Sequence, residues 1–308
     1  MIRRFHFRSF AAGCRAARYR EALSGPKRWI IAACIIGILG AAPKSAHAQA
    51  THHLNNNLNY SLDALMDHII PFGVTDLRIG VGPAFVPKYE GDNNGRIIAV
   101  PALAFRYKDI LAMDGTQVRV NLLDLHQSPT PQRLSAGPMI KIELGRHETD
   151  SPDLKGLGSV GASVELGGFI NYNVGPGRVR LVVRQDVANG HGGAIAELDA
   201  GMSVIHTNRL KLAAQVGVVW TSRRYKESFF GINATQSAAS GLPVYAPGAG
   251  FNSVTFSVGG EYQIMRHWSI GLQTVYERLV GGSAASPLVQ LRGSPNQISL
   301  GTFIIYSF

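Results

Sequence analysis

From residue 77 to its end, most of this chain places apolar residues at every second position. The last segment is the clearest case. Ile298, Leu300, Thr302, Ile304, Tyr306 and Phe308 share one face, and Gln297, Ser299, Gly301 and Ser307 share the other. Phe303 and Ile305 break that alternation. A period of two belongs to a β-strand with one apolar face. Similar segments, separated by turn residues, span 77–86, 96–107, 110–113, 117–123, 133–146, 159–174, 178–187, 194–206, 209–220, 251–264, 268–279 and 296–308. The short hairpin at 110–123 is the least regular, so the count is about twelve, or ten without it. Many segments reach roughly 10 residues, enough to cross a bilayer at a tilt.

The faces carry chemistry as well as period. Val179, Leu181 and Val183 oppose Arg178, Arg180 and Arg184. Leu198, Ala200 and Met202 oppose Glu197, Asp199 and Ser203. Leu210, Leu212 and Val216 oppose Lys211 and Gln215, and Val254, Phe256 and Tyr262 oppose Ser257 and Glu261. A soluble sandwich would turn its apolar face to a core and its charges to water. A transmembrane barrel turns apolar residues to lipid and charges to its lumen. Period alone fits both.

The connections favour the barrel. Alternate ones are short, as at 108–109, 175–177, 207–208 and 265–267. The others are longer, as at 87–95, 147–158, 221–250 and 280–295. Two connections, 124–132 and 114–116, fit this alternation poorly. Short turns on one side and long loops on the other are the outer-membrane pattern, with both termini periplasmic. The fold expected is therefore all-β, a transmembrane antiparallel β-barrel over 76–308.

The amino-terminal region changes the charge picture. Residues 1–28 are basic, 29–42 are almost wholly apolar, and Ala46-His47-Ala48 supplies a small-x-small processing site. That order is a secretory signal peptide, 1–48, cleaved before Gln49. It holds nine of the 30 Lys and Arg and one of the 20 acids, which leaves 21 bases against 19 acids. The high calculated pI therefore belongs largely to the export signal and carries no argument for nucleic-acid binding. Cys14 and Cys34 leave with it, so the mature chain has neither disulfide nor thiol chemistry. Residues 49–75 form a periplasmic segment or plug the barrel mouth: Leu58, Leu62, Leu65, Met66, Ile69 and Ile70 are spaced for one short amphipathic helix ending at Pro71, against the plainer reading of a solvated linker.

No catalytic constellation, metal set or cofactor motif emerges. The histidines are scattered without ligand spacing. Gly190-His191-Gly192-Gly193 resembles an oxyanion loop, but no Gly-x-Ser-x-Gly elbow accompanies it, and a flexible hairpin tip is the simpler reading. The expected lumen-facing residues are Arg178, Arg180, Arg184, Glu197, Asp199, Lys211 and Glu261. Opposite charges on neighbouring strands neutralise one another, or they line a narrow channel for a small solute. In the longest loop, 221–250, Arg223, Arg224 and Lys226 stand beside Tyr225, Phe229 and Phe230. That mixture would contact lipopolysaccharide, fold inwards as a constriction, or pack on its own barrel.

A set of short motifs adds to this. Pro87, Tyr89, Glu90 and Gly91 follow the first strand; Gly145-Arg146 ends the fifth, before Asp150, Leu154, Lys155 and Gly156. Tyr225, Phe229, Phe230 and Gly231 open the long loop, and Ser240, Gly241, Leu242 and Tyr245 follow. Tyr276, Arg278 and Leu279 precede Ser286-Pro287, and Tyr306-x-Phe308 closes the chain. In order and spacing the set resembles the MipA/OmpV family across the whole mature chain. Lys88 and Gly282 depart from it. The resemblance implies a non-enzymatic outer-membrane barrel, in contact with lipid and lipopolysaccharide. It also implies a terminal strand, Tyr306 and Phe308, read by the barrel-assembly machinery. One family member is named for interaction with a lytic transglycosylase, which implies a scaffolding role among murein-processing enzymes.

Overall fold

A computed structural model describes residues 75–127 and 132–308. The expected signal peptide and the expected helix at 58–70 lie outside the described residues. The strands are β1 (Asp76–Pro87), β2 (Gly95–Tyr107), β3 (Leu111–Asp114), β4 (Gln117–Val120), β5 (Leu123–Gln127), β6 (Gln132–Glu143), β7 (Ser163–Val174), β8 (Gly177–Asp186), β9 (Ala194–His206), β10 (Leu210–Thr221), β11 (Gly250–Gln263), β12 (Trp268–Leu279) and β13 (Asn296–Ser307). All pairings are antiparallel and join chain neighbours, except that β1 pairs with β13 and β4 with β6. The sheet closes on itself because β4 also pairs with β6.

β4 and β5 are two halves of one stave. Gln117 to Arg119 pair with Lys141 to Met139, and Leu123 to Gln127 pair with Ala136 to Gln132, a register one residue apart. The slip is a β-bulge, which costs the ladder little because Pro138 has no N–H to offer it. Gly137 sits at the bulge, where a Cβ would lie 1.8 Å from the Val120 carbonyl oxygen. The barrel thus has twelve staves, the number the alternation suggested.

The expected connection at 124–132 is corrected: Asp124 to Gln127 continue the stave, and the link shrinks to 128–131. Asp124 anchors it by taking two hydrogen bonds from Arg133, at 2.8 and 2.6 Å. The strand expected to run to 146 stops at Glu143, because Gly145 at φ 74° turns the chain. β3 and β4 stop short of the far end. Among the described residues β2 has no strand partner on that side from Gly95 to Ala102, and the Arg96–Asp150 pair, 4.0 Å apart, spans the opening.

Burial is inverted relative to a soluble sandwich. Leu181 is 40% exposed on the outer surface while its neighbour Arg180 is 1% exposed inside. Trp220, Phe251 and Tyr276 stand toward one edge of the apolar belt, and Tyr172, Tyr262, Trp268 and Tyr306 toward the other, as aromatic girdles do. No helix among the described residues is long and apolar enough to cross a membrane. The closed sheet satisfies its own backbone hydrogen bonds, as a membrane-spanning structure must.

Phe303 and Ile305 turn out to keep the strand period. They face inward and form an apolar cluster with Ala84, Val86, Val100 and Ala102. The interior alongside β13, β1 and β2 therefore carries an apolar patch, with Arg78 and Arg106 toward the near end and Gln297 and Ser299 toward the far one, while that alongside β6 to β9 is charged.

Candidate functional site

The connections at the end that holds Asp76 and Phe308 are tight. Those at the opposite end, here the far mouth, are long and structured. The connection after β10 forms α1 (Arg223–Phe230) and α2 (Ala234–Ser240), and the one after β12 forms α3 (Gly281–Ala284) and α4 (Pro287–Arg292). Asn233 caps α2 with a full capping box, its side chain accepting from the Gln236 amide while Gln236 reaches back. Pro287 opens α4 at a position where a missing N–H costs nothing.

The motif residues, far apart in the chain, meet at this mouth. Tyr89 packs with Leu154, Leu157, Ile232, Leu242 and Leu288. Glu90 accepts hydrogen bonds from the Tyr225 hydroxyl, 3.2 Å, and the Asn252 amide, 2.7 Å. Ser283 in turn donates to Asn252, 2.6 Å. Gly91 takes φ 99°, and a Cβ there would lie 2.7 Å from Val289 Cγ2. Tyr225, Phe229 and Phe230 cluster with Val160, Ile195, Leu279 and Val289. The amide of Gly231 closes α1 on Lys226 and Glu227. Ser286 donates to the Phe230 carbonyl, 2.7 Å, and Arg146 to that of Phe229, 2.8 Å.

Of the three fates expected for the long loop, folding inward is the one observed. Lys226 is buried with its aromatic neighbours and donates to the Phe251 carbonyl, 2.7 Å, while Arg223 and Arg224 stay exposed. The 190–193 tip also turns inward: His191 is buried, 4.9 Å from the Tyr225 ring centre. It is thus part of the plug, where a flexible tip was expected.

Burial governs protonation here. It pushes the Glu90 carboxyl up to about 8, helped by the charge of Glu277. It also raises the Tyr89 and Tyr225 phenols, and lowers Arg146 to about 10. A protonated Glu90 still accepts both of its hydrogen bonds and spares the mouth an uncompensated charge.

Below the plug lies a ladder of ions. Arg180 pairs with Asp199 at 3.5 Å, as the strand register suggested. Arg184 contacts both Glu165 and Glu197 and lies 3.9 Å from Glu143. Lys141 holds Glu143 at 2.9 Å, and His191 meets Glu165 at 2.8 Å. Arg178 donates to Gln215, 3.0 Å. Lys211 stands opposite Glu261 in the register, but the Glu261 carboxylate is held by Arg78, 2.7 Å, and Ser269, 2.6 Å.

Reading single strands missed Lys141, Glu143 and Glu165. Each sits on the polar side of an alternating segment, and that was the available signal. Glu143, Glu165 and His191 bring donor atoms within 4.8 Å of one another. Arg184 and Lys141 already supply the cations that such a trio would seek. Tyr306 and Phe308 lie at the near rim, with ring centres 4.8 Å apart, and the Phe308 amide donates to Leu77 O, 3.1 Å.

No curated protein matches the chain. Solved structures similar to it include OmpT of Vibrio cholerae, at 9% identity over 76% of this chain and 97% of that one, TM-score 0.35. An outer membrane channel from Pseudomonas putida F1 is 8% identical over 78% and 97%, TM-score 0.37. A Pseudomonas aeruginosa FadL homologue is 11% identical over 76% and 89%, TM-score 0.33. The family model described as MltA-interacting protein MipA matches residues 79–308. With that match over most of its length and a closed barrel belted by apolar residues, the chain belongs to the MipA family and is an outer-membrane β-barrel protein.

Proposed function

We propose that this protein is a closed, non-enzymatic barrel that anchors a murein-processing enzyme at the inner face of the outer membrane. The observation that carries this is the filled interior. Lumen-facing side chains from Lys141 to Glu197 are ion-paired and buried, and helices plug the far mouth. A barrel so filled is built for anchoring. The family's description names MltA as the partner, and the family resemblance in the sequence makes that partner a lytic transglycosylase.

In this reading the signal is cut before Gln49 and both termini lie in the periplasm. The far mouth faces outward, with Arg223 and Arg224 toward lipopolysaccharide, and Tyr306 and Phe308 serve barrel assembly. The test is retention of purified transglycosylase on immobilised, refolded barrel. Saturable binding is expected, and no retention above a blank surface overturns the anchor.

The charge ladder favours one second reading, a narrow solute channel. Planar-bilayer recordings decide between them. The anchor predicts silence, and currents whose selectivity shifts in Arg180→Glu or Arg184→Glu would favour the channel.

A further inference from the structure

The far mouth holds a cavity that the plug leaves open. It has a volume of about 380 Å³ and lies between the connection after β6, the tip at Gly190 and the helices α1 and α2. That size falls in the range of small-molecule sites, roughly 300–1,000 Å³. Leu157, Val160, Ile232, Val244 and Tyr245 give it apolar sides, and Ser159, Glu227 and Asn233 place polar groups among them. The walls are fixed before any ligand arrives. Ile232 and Tyr245 exchange backbone hydrogen bonds, both 2.8 Å, and Gln236 donates to the Leu157 carbonyl, 2.6 Å. The Tyr245 hydroxyl donates to the Gly282 carbonyl, 2.7 Å, which holds its ring in place. A pocket already in shape spares a ligand the cost of ordering it.

The polar groups of the cavity keep bonding capacity in reserve. Oε1 of Glu227 accepts from Arg223, 2.7 Å, but Oε2 has no hydrogen-bond partner among the described residues. Asn233 uses its side-chain oxygen to cap α2, and its Nδ2 likewise has no partner among them. Ser159 Oγ accepts from the Glu148 amide, 3.0 Å, and keeps its own proton to give. Donors and an acceptor thus stand side by side. Among the described residues no Lys or Arg lines the cavity, so nothing there matches an anion. Its one carboxylate already has a cation in Arg223, so it does not call for a charged amine. A purely apolar ligand would dry these groups without pairing them. Hydroxyls donate and accept at once, which answers such a set. A pyranose ring adds a face of C–H groups, suited to the electron-rich face of an aromatic ring and to apolar side chains.

We propose that this cavity binds a neutral mono- or disaccharide, with a sugar face against Tyr245 and Val244 and hydroxyls on Glu227, Asn233 and Ser159. The lumen below is filled, so the sugar is held at the mouth and not passed through it. This stands apart from the murein partner; binding or failure to bind a transglycosylase leaves it unchanged.

Saturation-transfer NMR on the refolded barrel tests this, in a detergent without a sugar head group so that the micelle does not compete. The probes are glucose, galactose, N-acetylglucosamine and maltose, with glucosamine as the cationic control. Saturable transfer to at least one neutral probe is expected, with glucosamine bound no more tightly. Val244→Trp fills the cavity from a rim position that is 62% exposed in the folded protein. Asn233→Ser removes the amide donor and keeps a capping oxygen. Each should weaken binding by about tenfold or more. Saturable transfer to none of the neutral probes overturns the site, and so does binding that both variants leave intact. Binding confined to glucosamine and lost in Glu227→Gln also overturns it, since the cavity would then be an amine site.

Discussion

Glu90 accepts a hydrogen bond from the Tyr225 hydroxyl at 3.2 Å although 135 positions of sequence separate the two residues. The contact ties the connection after β1 to the helix after β10, and Asn252 adds the start of β11. Three segments of the far mouth thus share one buried carboxyl.

That carboxyl makes the mouth sensitive to pH. Its folded pKa, about 8, lies above the ordinary carboxyl value of 4.5. The unfolded chain therefore gives up the proton first. The stability Glu90 contributes is full below about pH 4.5 and is lost as pH rises toward 8. Urea unfolding in lipid vesicles should show a midpoint that falls across this window. Glu90→Gln should flatten the profile while keeping the plug. An unchanged slope in that variant would assign the dependence to another group.

Gly91 meets two demands at once, a left-handed φ of 99° and close approach to Val289. Gly91→Ala should loosen the far mouth by about 1–3 kcal/mol, leaving the strands in place. Limited proteolysis is the measurement. Cleavage within 222–249 and 280–295 should accelerate, while β-sheet content by circular dichroism stays constant.

Arg184 is the hub of the ion ladder, serving Glu165 and Glu197 with Glu143 nearby. Arg184→Met leaves buried carboxylates short of a cation and should cost about 3–5 kcal/mol. Adding Glu165→Gln should recover part of that loss in the same urea assay. Equal loss in the single and double variants would mean that the two residues do not act as a pair.

Leu272 lies on the lipid side of β12, 52% exposed at the middle of the strand. Leu272→Arg should destabilise the barrel in vesicles by about 2–4 kcal/mol, the cost of an arginine near the midplane. Gln273→Leu, one residue on and facing inward, tests the other side of the wall. If the arginine is tolerated at no cost, the outer surface does not face lipid.

The wall of this barrel was legible in the sequence. Alternation is local, so it fixed the face of Leu181 against Arg180 and suggested about twelve staves, with ten left open. The turn residues showed which connections would be long. The register between neighbouring strands even paired Arg180 with Asp199. Other features needed the closed sheet. Arg184 finds Glu165 and Glu143 because β6 and β7 curve round beside β8, and no spacing encodes that curvature. Phe303 and Ile305 look like breaks in a pattern until β1 and β2 bring Val86 and Val100 beside them. The β4–β5 bulge, set by Pro138 and Gly137 on the partner strand, hid half a stave inside an expected loop. Tyr89, Glu90, Tyr225, Phe230 and Ser286 were visible as motifs, but only closure of β1 onto β13 gathers their loops into one plug. Side-chain period is a property of neighbours in the chain. Convergence at a mouth is a property of the ring they close, and only the tertiary structure decides it.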